Sequence, residues 1–224
     1  MPVALIIGAS RGIGHELARQ YCADGWQVIA TVRRAADAAD LEKLGARTCL
    51  LDVTSEEQCI AFAAGLQNQA LDVAIHNAGM FGPRSDPMTP PSTADFDAVM
   101  HTNVLAAMWL LPRIGPMVAA ARGKLAVISS VMGTLSARSD SSGTLYRASK
   151  AALNSVLLDV AQHMAPIGAC CVSLHPGWVR TDMGGEHADI SVEESVSGIR
   201  ATLAGLSAKD NARFLNYDGT ALVW

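Results

Sequence analysis

Tyr146 and Lys150 stand four residues apart in a stretch of helical period, a spacing that projects both side chains from one helix face. A phenol with a pKa of about 10 is a poor acid-base group at neutral pH, and an ammonium beside it favours the phenolate and moves that pKa toward the working range. The same spacing also occurs on solvated helices. Upstream, Ser129 and Ser130 close an apolar run, where a hydroxyl either holds a reacting oxygen or caps a turn. Gly8-Ala9-Ser10-Arg11-Gly12-Ile13-Gly14 follows the first apolar run and opens a helix. Glycines there let backbone N–H groups and the positive helix end face a pyrophosphate, although a tight turn alone would also call for them.

The second apolar run ends in Thr31-Val32-Arg33-Arg34, with Arg33 19 residues after Gly14. Dinucleotide-binding domains place an acidic group about 20 residues past the glycines, against the ribose 2′-hydroxyl. Guanidinium groups in that place, with Arg11 nearby in the glycine loop, suit a 2′-phosphate and therefore NADP(H), with NAD(H) also admitted; a solvated pair of loop arginines is the alternative. Asp52 and Val53 end the third run, where the carboxylate either accepts from an adenine amino group or faces the next helix start. Asn77-Ala78-Gly79 ends the fourth run, and Asn103 lies in an otherwise apolar helical stretch, where it needs a hydrogen-bond partner.

The elements that must position these residues alternate along the chain. Apolar runs at 3–7, 27–32, 47–51, 72–76, 124–129 and 169–175 read as strands, with a last edge strand around Phe214 and Leu215. Helical period appears at 12–24, 55–69, 94–121 (bent by Pro112 and Pro116), 145–164 and 192–206. Ser55 with Gln58, and Ser191 with Glu194, match capping boxes. This alternation predicts one doubly wound, Rossmann-type α/β domain with a parallel sheet and helices on both faces.

With 224 residues, 50% of them hydrophobic and only 17% charged, the chain has ample core material, which excludes disorder. A formal charge of −4 and the lack of a long basic run argue against nucleic acid. The five cysteines lack CxxC spacing and read as reduced, buried thiols of a cytoplasmic protein. His15, His101, His163 and His187 have no metal-ligand spacing, so no metal is expected. The apolar stretch 104–111 ends at Pro112 and Arg113, and no segment is expected to span a membrane.

Taken in order, Gly8, Gly12, Gly14, Asp52, Asn77-Ala78-Gly79, Asn103, Ser130, Tyr146-x-x-x-Lys150 and Pro176-Gly177 resemble the short-chain dehydrogenase/reductase family over essentially the whole chain. Tyr146-Arg147-Ala148-Ser149-Lys150 and the run from Leu174 to Gly185 are most similar to its C-factor and sniffer-type carbonyl reductase branch. The resemblance implies strand order 3-2-1-4-5-6-7, a dinucleotide-binding part over about 1–125 and a catalytic and substrate part over about 126–224. It implies a site of Ser130, Tyr146, Lys150 and Asn103, with Asn103 positioning a water, and adds Pro176, Gly177, Val179 and Thr181 to the cofactor contacts. Ser130 is preferred to Ser129 because Val131-Met132-Gly133 follows it. Two departures, Ile7 for Thr and His76 for Asn, remove hydrogen bonds that brace the crevice. The implied reaction is hydride transfer between NADP(H) and a small-molecule carbonyl or alcohol; a C-factor-type signalling or regulatory protein with incidental turnover is the alternative. Segments 80–91, 131–144 and 181–189 would set the substrate and are apolar, with no single charged anchor evident. Surplus apolar residues at 104–111 and 153–160 suggest a homodimer or homotetramer.

Overall fold

Val3–Ile7 (β1) is buried at every position, and its side chains alternate between two cores: Val3, Leu5 and Ile7 join one, Ala4 and Ile6 the other. A strand covered on both faces belongs inside a parallel sheet wrapped by helices. The computed structural model, which describes all residues except Gln67, Asn68, Ser85, Ser139 and Asp140, has that architecture. β1, Gln27–Val32 (β2), Arg47–Leu50 (β3), Val73–His76 (β4), Lys124–Ile128 (β5), Cys170–His175 (β6) and Arg213–Asn216 (β7) form one sheet. Its order is β3-β2-β1-β4-β5-β6-β7 and every pairing is parallel.

Helices Gly12–Ala23 (α1), Ala39–Lys43 (α2) and Val192–Gly205 (α7) bury Leu17, Leu41 and Ile199 on one face. Glu56–Gly65 (α3), Ala106–Ala120 (α5) and Thr144–Met164 (α6) bury Cys59, Leu110 and Leu157 on the other. Thr93–Met100 (α4) precedes α5. The expected helix over 55–69 therefore stops at Gly65, and the residues 67 and 68 of that expectation lie outside the described ones. Because the strand order reverses between β1 and β4, the crevice beyond their carboxyl ends is where an open sheet of this kind takes a ligand.

Two features of the long helix after β4 were not expected from the sequence. The helix over 94–121 has a turn of π geometry at His101–Leu105, in which the Ala106 N–H reaches back to the His101 carbonyl, and its prolines lie within the continuous α5. Pro112 and Pro116 lie inside α5 on its exposed side, so the hydrogen bonds they delete face water. Thr93–Ala120 consequently runs as 28 helical residues of mean hydropathy 1.3, which by length and composition alone could cross a membrane. Its Leu110, Leu111, Ile114 and Val118 are instead packed in the chain's own core, as in a central helix of a globular domain.

Candidate active site

At the end of β1 the chain turns into α1 through Gly8 (φ +86°) and Gly12 (φ +55°). The Gly8 N–H donates to Thr31 Oγ1 (2.9 Å), the Ala9 N–H to the Thr31 carbonyl (2.8 Å), and Asn77 Nδ2 to the Gly8 carbonyl (2.7 Å). Thr31 and Asn77 thus supply the bracing that Ile7 and His76 cannot. Gly14 is buried, and a Cβ there would stand 2.1 Å from the Gly8 oxygen and 2.6 Å from Asn77 Nδ2. Gly14→Ala should therefore open the turn, with about tenfold or greater loss of dinucleotide affinity by fluorescence titration; unchanged affinity would show that the turn yields freely. Helix α1 begins at Arg11 with no side-chain cap and no acidic residue in its first turn. Its positive end is uncompensated and faces the crevice past Ser10 and Ile13, as an anion site requires.

Among the arginines, Arg11 pairs with Asp182 (2.8 Å) and Arg34 holds Asp37 with two bonds (2.7 and 3.0 Å). Asp37's carboxyl is held low by the Arg34 hydrogen bonds first, with smaller contributions from the charges of Arg33 and Arg11. Val32, in the place of the usual carboxylate, points into the α1 core. Asp52 accepts from the Thr54 N–H and hydroxyl (3.0 and 2.7 Å), which lowers its pKa and turns the chain toward α3, with Val53 half-buried beside it.

At the end of β5 the two serines separate. Ser129 Oγ donates to Asn154 Oδ1 (2.6 Å) in the core, whereas Ser130 is hydrogen-bonded to Tyr146 and accepts from the Met132 N–H (3.1 Å). The turn Val131–Gly133 lies against α6 so closely that a Cβ on Gly133 would meet the Lys150 carbonyl carbon at 2.9 Å. In the sequence Gly133 serves only as context for Ser130; its close approach to α6 is what a side chain there would block. Burial pushes the Tyr146 phenol up to about 12 and the Lys150 amine down to about 8. Lys150 Nζ donates to the Ile128 carbonyl (2.8 Å) and lies 5.5 Å from the Tyr146 ring centroid. Lys150 thus contributes nothing to the phenol's pKa here, its amine being bonded to a backbone oxygen.

Asn103 sits in the π turn, fully buried. Its Oδ1 accepts from the Met80 N–H (2.8 Å), while Nδ2 donates to the Met80 carbonyl (2.8 Å) and to Ser149 Oγ (2.9 Å). Both amide protons are used, so the side chain braces the 80–91 segment against α6. Beside it, a Cβ on Gly79 would reach Lys150 Nζ and Asn103 Oδ1 at 3.4 Å, while Ala78 closes against Gly8. Gly177 (φ +85°) follows Pro176 and turns the chain, Val179 is buried in a bridge to Ile190, and Thr181 covers Gly12. Phe81, which has no sequence signal, stacks on Tyr146 with ring centroids 4.6 Å apart. Residues Ser139 and Asp140 of the 131–144 segment, and Ser85 of 80–91, lie outside the described residues.

His76 is fully buried beside Lys150, and neither ring nitrogen has a hydrogen-bond partner among the described residues. Burial, with Lys150's charge, pushes its pKa down to about 3, and burial alone takes His175 to about 4. The unfolded chain binds a proton on each imidazole below about pH 6.5, whereas the folded chain refuses it until far lower pH. Stability should therefore fall as pH drops below that value, by about 1.4 kcal/mol per pH unit for each group. His76→Asn should lose one proton's worth of that slope in urea titrations near pH 5 and pH 7. An unchanged slope would mean that His76 titrates normally in the folded chain.

Comparison with known proteins places this geometry. The description "short chain dehydrogenase" matches residues 2–190. C-signal of Myxococcus xanthus is 34% identical over 165 residues, covering 73% of this chain and 99% of that protein. The solved structure of a short-chain dehydrogenase/reductase from Burkholderia multivorans with bound NADP superposes with a TM-score of 0.89 at 34% identity, over 100% of this chain and 99% of the other. The carbonyl reductase Sniffer of D. melanogaster gives 0.91 at 29% identity over 100% of both chains.

Proposed function

Because the chain belongs to the short-chain dehydrogenase family, we propose that it transfers hydride between NADP(H) and a small, fairly apolar carbonyl or alcohol compound. The observation that carries this reading is the convergence of Ser130, Tyr146 and Lys150 at the carboxyl edge of the sheet, next to a glycine cradle that a single Cβ would fill. When bound, the nicotinamide supplies or takes the hydride at the carbonyl carbon. Ser130 hydrogen-bonds the carbonyl oxygen, and Tyr146 passes its proton to the alkoxide that develops there. Lys150, released from the Ile128 carbonyl, holds the nicotinamide ribose and stabilises the phenolate. Asn103 positions these groups by tying Met80 to Ser149, next to Lys150. The remaining cofactor contacts are Gly8, Ser10, Arg11, Gly12, Ile13, Gly14, Arg33, Arg34, Asp52, Val53, Asn77, Ala78, Gly79, Pro176, Gly177, Val179 and Thr181.

A panel of aldehydes, ketones and alcohols followed by nicotinamide absorbance tests this reading. Change with one or more compounds is expected. NADPH binding without turnover of any of them would favour the second reading, a dinucleotide-binding signalling protein, which the 34% identity to C-signal supports.

The proposal includes a homodimer or homotetramer, on narrower grounds than the sequence suggested. Val104, Leu110, Leu111, Leu153 and Leu157 are absorbed by the chain's own core, which leaves Phe96 and Met108 about half exposed on the α4 and α5 surface. Light scattering at micromolar concentration should give a multiple of 23.5 kDa; a monomeric mass refutes it.

A further inference from the structure

Arg84 stands at the mouth of the Tyr146 site, stacked over Phe81 and bonded to a backbone oxygen. Its guanidinium carbon lies 4.6 Å over the Phe81 ring, which itself stacks on Tyr146. Its Nη2 donates to the Met183 carbonyl at 2.9 Å, across the cleft from the segment that carries Arg84. Aromatic stacking on one side and a backbone oxygen on the other fix the guanidinium plane. That single bond uses one of five donors. Arg84 pairs with no carboxylate among the described residues, and Asp182, next to Met183, is drawn off by Arg11. On the segments that flank the site, the apolar side chains Val131, Trp178 and Met183 keep much of their surface exposed.

We propose that Arg84 is the anchor for a carboxylate on the substrate, so that the compounds this site takes are oxo acids with an apolar body, or the matching hydroxy acids. This corrects the expectation of a cleft without a charged anchor, and it rests on the reading of Tyr146 as the proton donor to a carbonyl. The planar fork matches a carboxylate in two parallel bonds, and the nearby exposed apolar side chains suit an apolar body. Phe81 separates the two recognition points: the carbonyl oxygen lies at Tyr146 and Ser130, and the acid head lies beyond the far face of the Phe81 ring. The reaction is unchanged. The carbonyl carbon takes hydride from the reduced nicotinamide and the oxygen takes the Tyr146 proton, which solvent then restores.

β-Benzoylpropionate and its methyl ester, identical except for the charge, separate the possibilities. With the NADPH-loaded protein, kcat/KM for the acid should exceed that for the ester by about tenfold, carried by KM. Arg84→Gln should bring the ratio to about one, and Arg84→Lys should restore part of it. Binding of both compounds to the NADP+-loaded protein, read by tryptophan fluorescence, should show the same preference and the same loss. Equal use and equal binding of acid and ester, or a preference that survives Arg84→Gln, overturns the anchor. If neither compound turns over while acid binding still depends on Arg84, the anion site stands and the carbonyl-reducing reading of Tyr146 fails.

Discussion

Tyr146→Phe should lower kcat by about a hundredfold or more while leaving NADPH affinity nearly unchanged. The phenyl ring keeps the packing that holds the position, since Tyr146 is buried and stacked on Phe81, and it loses only the hydroxyl hydrogen-bonded to Ser130. Burial holds the phenol pKa at about 12, so in the cofactor-free protein the proton stays on oxygen across the working range and the group is ready as a donor. The reverse direction needs the phenolate. For that Lys150 must leave the Ile128 carbonyl and bring its charge to the hydroxyl, against a desolvation that pushes its own pKa down to about 8. Lys150→Met should accordingly damage alcohol oxidation more than carbonyl reduction, a difference visible in initial rates measured in both directions. Near-normal turnover by Tyr146→Phe would remove Tyr146 from the chemistry.

β1 and β2 were legible because they are dominated by apolar residues and end where that pattern ends, at Ile7 and Val32. The caps were half legible. Ser55 and Ser191 do cap their helices by accepting from Gln58 and Glu194 N–H groups, but Gln58 Oε1 accepts from the Asp52 N–H and the Glu194 carboxylate meets Tyr217. The reciprocal box forms at Ser207 and Asp210, where a shorter acid closes it. The site was legible where chemistry fixes residue type, as in Tyr146, Lys150 and the glycines, and illegible where a loop side chain acquires its meaning from a contact across the cleft. Phe81 and Arg84 sit in a segment rich in Pro and Gly, whose sequence has no period to say which way a side chain points. Asn103 shows the boundary between the two: its need for partners followed from its apolar neighbours, but that they are the Met80 backbone and Ser149 depends on the π turn.

The unmodified protein should bind NADPH more tightly than NADH by about tenfold or more, and Arg33→Ala should remove most of that preference while barely changing NADH binding. Charge-assisted hydrogen bonds to a phosphate are worth about 1.5–3 kcal/mol each, so one retained contact suffices for a preference of this size. The arrangement says which arginine supplies it. Arg11 and Arg34 are engaged by Asp182 and Asp37, whereas Arg33 is exposed and has neither an ion pair nor a hydrogen bond among the described residues. The Asp37 carboxylate is bonded to Arg34 and its pKa is also lowered by the charges of Arg33 and Arg11, and the Arg34 pair is exposed, so a phosphate with more charge and three acceptor oxygens can displace it. Val32 is the wrong place to reverse the preference, because its side chain lies in the core and a carboxylate there would be buried without a partner. Arg33→Asp tests the point at the surface: it should repel the 2′-phosphate, leave a free 2′-hydroxyl acceptable, and shift the ratio of dissociation constants toward NADH without lowering the unfolding temperature. Equal affinity of the unmodified protein for both cofactors would reduce all three arginines to solvated loop charges.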